Sequence, residues 1–195
     1  MNGGTKLKAC LIISIFLLGI ACTAAAGRTI YVDADAPGAN DGSSWENAYN
    51  FLQDALADAS SSPKPVEIRV AQGIYTPDCN SIESNGTGDR EATFQLIDGV
   101  TLKGGYAGFG EPDPNARDIE EYDTILSGDL DGNDIDVNDL YDLLDEPSRA
   151  ENCLHVVTAS NTDSNALLDG FSITAGNANV CDVQHGFGAG IYNNS

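Results

Sequence analysis

The chain has 195 residues, 42% of them hydrophobic, and a formal net charge of −21 from 9 Lys+Arg against 30 Asp+Glu. That length suits one ordinary domain. The charge argues against nucleic acid as a partner, because it repels phosphate backbones, and against direct binding to anionic lipid headgroups. It favours cations, above all Ca²⁺, whose ligands are carboxylates and carbonyls, and it keeps an extracellular protein soluble.

Residues 1–26 follow the three-part pattern of an export signal. Lys6 and Lys8 supply the positive start, residues 9–21 are almost wholly apolar, and Ala24-Ala25-Ala26 is a small-residue cleavage site. The apolar run is shorter than the roughly 20 residues that span a bilayer. A lipid anchor at Cys22 fits less well, because Leu18 stands one position too early before Gly19-Ile20-Ala21. Cleavage after Ala26 leaves 169 residues, with seven basic against 30 acidic side chains and a net charge of −23. The protein is therefore expected to be exported, to the extracellular space or to the cell surface or outer membrane. Three cysteines remain, Cys79, Cys153 and Cys181, enough for one disulfide with a thiol left over. Their scattered spacing is not a zinc pattern.

Residues 27–65 read as a strand and a helix. The strand Thr29-Ile30-Tyr31-Val32 is followed by turn residues at Pro37-Gly38 and Asn40-Asp41-Gly42. Ser43 and Glu46 have capping-box spacing. Trp45, Ala48, Tyr49, Leu52, Ala55, Leu56 and Ala59 then recur as one helical stripe, which Ser60-Ser61-Ser62-Pro63 ends.

From residue 66 to 195 the chain turns to short strands separated by glycines. Val66-Glu67-Ile68-Arg69-Val70 alternates at period two, Gly73 turns, and Ile74-Tyr75 resumes. The segment Leu96-Ile97-Asp98-Gly99-Val100-Thr101-Leu102-Lys103-Gly104-Gly105 can be laid over Leu167-Leu168-Asp169-Gly170-Phe171-Ser172-Ile173-Thr174-Ala175-Gly176. The second half recurs more weakly at Thr124-Ile125-Leu126-Ser127-Gly128. The offset of 71 residues from Gly99 to Gly170 equals three turns of a coil of about 24 residues, the mark of a stacked repeat. The expected fold class is all-β: a right-handed parallel β-helix, or solenoid, with an N-terminal amphipathic capping helix over its first sheet edges. Residues 129–152 form an acidic insertion between coils. The chain stops within what reads as a new coil at Gly188-Ala189-Gly190-Ile191-Tyr192, so a C-terminal truncation and end-to-end self-association are expected.

Several of these pieces carry a family resemblance. Tyr31-Val32-Asp33, Asp41-Gly42-Ser43-Ser44-Trp45, Leu52-Gln53-Asp54-Ala55-Leu56, Val70-Ala71-Gln72-Gly73-Ile74-Tyr75, Gly104-Gly105-Tyr106 and Leu168-Asp169-Gly170-Phe171 together resemble the N-terminal region of secreted right-handed parallel β-helix repeat proteins of the pectate-lyase-like superfamily. Gly188-Ala189-Gly190-Ile191-Tyr192-Asn193 is similar to the repeat of polymorphic outer-membrane proteins. The resemblance implies export and the β-helix fold. It does not imply one activity, since that fold serves lyases, hydrolases and adhesins.

Three stretches invite chemistry. Asp129, Asp131 and Asn133 match positions one, three and five of an EF-hand-like calcium loop; the next glycine is absent, and Ile135, Asp136 and Asp139 match after one deletion. The candidate metal ligands are accordingly Asp129, Asp131, Asn133, Asp136 and Asp139, with calcium as the cofactor, and residues 137–144 resemble the helix after such a loop. Asn161-Thr162-Asp163 and His185-Gly186 resemble fragments of polygalacturonase motifs, but the carboxylate pair that an inverting hydrolase needs is missing. The few basic residues, Arg69, Arg90, Lys103, Arg117 and Arg149, lie in no lyase motif; Arg117-Asp118 and Arg149-Glu151 read as loop ion pairs. No catalytic residue is assigned. The expected function is a non-catalytic, adhesin-like binding or structural module, calcium-stabilised, with a polysaccharide or another cell-surface protein as partner. The alternative is a fragment of a carbohydrate-active lyase or hydrolase.

Overall fold

A computed structural model describes residues 27–137, 139, 146–180 and 186–194. The export signal, Cys181 and His185 lie outside these residues, as does most of the helix expected at 137–144. Among the described residues, ten short strands are all paired in parallel, in three separate sheets. β1 (Arg28–Val32), β2 (Val66–Ala71), β5 (Val100–Tyr106) and β8 (Leu167–Asp169) form the first, in that order. β3 (Gly73–Tyr75), β6 (Thr124–Ser127) and β9 (Ser172–Thr174) form the second. β4 (Phe94–Gln95), β7 (Val157–Thr158) and β10 (Ile191–Tyr192) form the third, with β7 central. Among the described residues one α-helix, α1 (Leu52–Ser61), packs against β1, β2 and β4.

Side-chain alternation explains how the first sheet is held. Ile30, Ile68, Leu102 and Leu168 lie opposite one another across its four strands. The first three are fully buried and Leu168 packs on the same cluster. The neighbouring rows face out: Thr29, Glu67, Thr101 and Leu167 in one, Tyr31, Arg69, Lys103 and Asp169 in the other. α1 adds Leu52, Ala55, Leu56 and Ala59 to the core, and the third sheet adds Phe94 and Val157, with Val156 just before β7. Apolar area removed from water is the dominant gain here.

These observations correct the expected fold class. The described residues form three small parallel sheets of short strands and one helix; no all-β solenoid or β-helix is evident. Adjacent strands are separated by unequal lengths of chain: Arg28 faces Val66, Val66 faces Val100 and Thr101 faces Leu167, steps of 38, 34 and 66 residues. A coil of about 24 residues therefore does not exist. The two matched segments do not stack in the register of their sequence match, either. Leu102 lies opposite Leu168, not Ile173. Gly99 (φ 71°) turns the chain before β5, whereas Gly170 (φ 80°) ends β8 and sends the chain into β9, which belongs to another sheet. One sequence pattern thus serves two geometries, because the burial of Leu168 and Ile173 in different sheets overrides it. Gly104 shows how close this packing is: a Cβ there would collide with the carbonyl oxygen of Gly170.

The helix is shorter than the stripe predicts. It starts at Leu52, its N-cap is Phe51, and no side chain caps it. Residues 38–50 form a polar loop instead. Gly38 N donates to Glu46 O, Asp41 N and Gly42 N donate to Asn47 O, and Asn50 N donates to Asn40 Oδ1. Local bonds from Asn, Asp and Ser compete with the helical ladder. Trp45 accordingly leaves the stripe and stacks edge-on to Tyr31, ring centroids 4.9 Å apart, in a second cluster with Ala71 and Tyr106.

Candidate functional site

Two places concentrate polar side chains. The first is a groove on the third sheet. Gln95, Thr158 and Tyr192 lie side by side across its three strands. Thr158 Oγ1 donates to Gln95 Oε1 at 2.9 Å, and Gln95 Nε2 donates to Leu96 O at 2.8 Å. His155 stacks on Tyr192, centroids 4.8 Å apart and planes 23° apart, with its Nδ1 3.1 Å from Gly188 O. With Glu91, Thr93 and Ser160 they line an open cleft of about 330 Å³.

The second is the acidic insertion. Ser127 at the end of β6 delivers Asp129, whose two carboxylate oxygens turn back and accept the N–H groups of Asn133 and Asp134, each at 3.0 Å. That turn sends the side chains of Asp131 and Asn133 into solvent and brings Asp134 inward. A single 3-10 turn, Pro147–Arg149, returns the chain, capped by Glu146 accepting from Ser148 N. It places Arg149 Nη1 3.1 Å from Asp134 Oδ2 and Asn152 Nδ2 2.8 Å from the same oxygen. One oxygen each from Asp129, Asp134 and Glu151 lie within 4.8 Å of one another. Burial, and then the neighbouring Asp129, raise the Glu151 carboxyl above the ordinary glutamate range. A cleft of about 340 Å³ opens beside Asp129 and Asp134, lined also by Asp136 and Asp139.

Of the five ligands expected from sequence, Asp129, Asp136 and Asp139 share this cleft, while Asp131 and Asn133 do not line it. Asp134 and Glu151 complete the carboxylate cluster, and neither is among those five. In the loop comparison Asp134 lies between the matched residues Asn133 and Ile135 and is given no side-chain ligand position. Glu151 arrives by a tertiary return that no local spacing encodes.

The other candidates resolve into structural roles. Asp163 caps Asn165 N at 2.7 Å, and its own N–H donates to Asp98 Oδ1 at 2.7 Å. Arg117 pairs with Asp169 rather than Asp118, and Arg149 with Asp134 rather than Glu151. Arg69 and Lys103 share Glu67. Cys79 and Cys153 are free thiols, and burial pushes the Cys153 thiol up to about 12. Among the described residues, no helix is long and apolar enough to cross a membrane. Comparison with known proteins finds no matching family model, no matching curated protein and no matching solved structure.

Proposed function

We propose that the chain is an exported, non-catalytic binding module of the cell surface or extracellular space, and that its ligand is a neutral polysaccharide seated in the groove of the third sheet. The Gln95–Thr158–Tyr192 row carries this reading. A Tyr ring offers an apolar face with a polar rim, suited to a sugar ring that is apolar on one face and hydroxylated at its edge. The Gln95, Thr93, Thr158 and Ser160 groups supply donors and acceptors beside it, as ligand clefts require. The net charge of −21 favours a neutral over an anionic glycan. Among the described residues lining the cleft, Glu91 carries the one carboxylate, whereas glycoside hydrolysis ordinarily needs a pair.

Two measurements test this. Affinity electrophoresis through gels containing neutral glucans, mannans or xylans is expected to retard the protein, and Tyr192→Ala to lower the affinity about tenfold, the loss of roughly 1.4 kcal/mol of ring contact. Absence of retardation by every neutral glycan, or full retention in Tyr192→Ala, overturns the ligand. Release of reducing sugar would replace the binding module with an enzyme. For export, N-terminal sequencing of protein secreted by a bacterial host is expected to begin at Gly27, and an intact Met1 in the cytoplasm defeats the localisation.

A further inference from the structure

We infer that Asp129, Asp134 and Glu151 hold a calcium ion that clamps the two ends of the acidic insertion together. The geometry is the first argument. Two oxygens bound to one Ca²⁺ stand at most twice the bond length apart, about 4.6–5.2 Å. The three carboxylates lie within 4.8 Å of one another, inside that limit. They come from the two ends of the insertion, so one ion ties residues 129–134 to residue 151.

The second argument is independent of the acidic count. Asn152 is fully buried, its amide nitrogen sits on Asp134 Oδ2 at 2.8 Å, and its Oδ1 has no hydrogen-bond partner. Asp134 Oδ1 and Glu151 Oε1 are buried atoms in the same condition. Buried oxygens without a donor are costly. Two of these oxygens belong to the carboxylate cluster itself and the third to the buried amide bonded to Asp134, an arrangement that suits a cation better than a solvated acidic face. Arg149 and the Asn152 amide occupy Asp134 Oδ2 and leave Oδ1 for the ion.

Chemistry narrows the ion. Three carboxylates against one guanidinium leave two negative charges, which a divalent ion neutralises. The ligands are all oxygen, with neither thiolate nor imidazole to favour zinc. Three protein ligands fall short of the six to eight that Ca²⁺ takes, and the open cleft beside Asp136 and Asp139 admits water for the rest. Mg²⁺ demands a near-ideal octahedron and dehydrates reluctantly, so it is expected to bind more weakly.

Thermal melts of the full chain in CaCl₂, in MgCl₂ and in NaCl of matched ionic strength, each against chelator, test the assignment. Calcium at a hundredfold excess over its dissociation constant is expected to raise Tm by roughly 5–10 °C. Calorimetric titration is expected to show one saturable Ca²⁺ per chain. Glu151→Gln and Asp134→Asn should each abolish the calcium-specific rise, whereas Asp131→Asn, on an exposed side chain, should keep it. If one variant fails to fold, the other and the direct titration decide. An equal rise in all three salts reveals diffuse screening of the surface charge and overturns the site. So does the absence of saturable binding, or an undiminished rise in Glu151→Gln.

Discussion

Phe94→Ala is expected to destabilise the protein by about 3–5 kcal/mol, the range for removing a buried aromatic ring from a core that cannot collapse around the void. Phe94 is 1% exposed and is among the largest fully buried side chains. It stands where the third sheet meets the helix. β4, which it opens, pairs with β7 through Val157, and α1 packs against β4. Gln53 from the helix donates to Thr93 O at 3.0 Å, next to the ring. The void would therefore be bordered by both a sheet and a helix, each anchored elsewhere. Urea denaturation measures the loss as a lower midpoint with an unchanged slope. Phe94→Leu, which keeps most of the volume, is expected to lose less than half as much. A loss below about 1 kcal/mol in the alanine variant would show that the core is not continuous through β4. Typical domains have only about 5–15 kcal/mol in total, so the alanine variant is expected to be marginal at 37 °C.

Arg90→Met should cost about 2–4 kcal/mol for a different reason. One guanidinium bonds three acceptors on two other segments: Nε to Asn152 O at 2.7 Å, and Nη2 to Asn177 O at 3.0 Å and to Asn179 Oδ1 at 2.9 Å. Methionine keeps the stem and deletes every donor. A hydrogen bond to a charged group contributes about 1.5–3 kcal/mol, but the three share one guanidinium and the bond to Asn179 is exposed, so they do not add in full; the two backbone carbonyls left behind are partly buried. Arg90→Lys should recover only part, because an ammonium cannot present the planar fork that reaches all three. Hydrogen exchange is expected to show the loss as faster exchange at Asn177 and Asn179, whose amides now bond Cys153 O and Asn177 O at 2.8 and 2.9 Å. Unchanged exchange there, with unchanged stability, would reduce Arg90 to a surface contact.

These two side chains mark the line between local and global information. Phe94 sits in a two-residue strand that follows a polar loop, and nothing in Ala92-Thr93-Phe94-Gln95 announces a central core position. Arg90 is, in the sequence, one of several basic residues that lie in no motif. The same limit acted at the acidic insertion. The run of carboxylates was visible, and Asp129, Asp136 and Asp139 do share a cleft. The inward turn of Asp134 follows from Asp129 capping the next backbone amides, and the approach of Glu151 follows from the return through Pro147–Arg149. Neither is a matter of spacing.

Short-range signals carried further. Alternation in Val66–Val70 located β2 and its inward face, since Val66, Ile68 and Val70 are all buried. The helical stripe held where it met no competing bonds, at Leu52, Ala55, Leu56 and Ala59, and failed at Trp45, Ala48 and Tyr49, where Asn40, Asp41 and Asn47 tie the chain into a loop.

The charge, the period-two and helical faces and the acidic stretch are legible along the chain, because each depends on residues a few positions apart. The gathering of the strands into three small parallel sheets with unequal steps, and the meeting of particular carboxylates, arise from long-range packing. Parallel pairing joins residues dozens of positions apart, and its register is chosen by which side chains share a buried row, as Ile30, Ile68, Leu102 and Leu168 do.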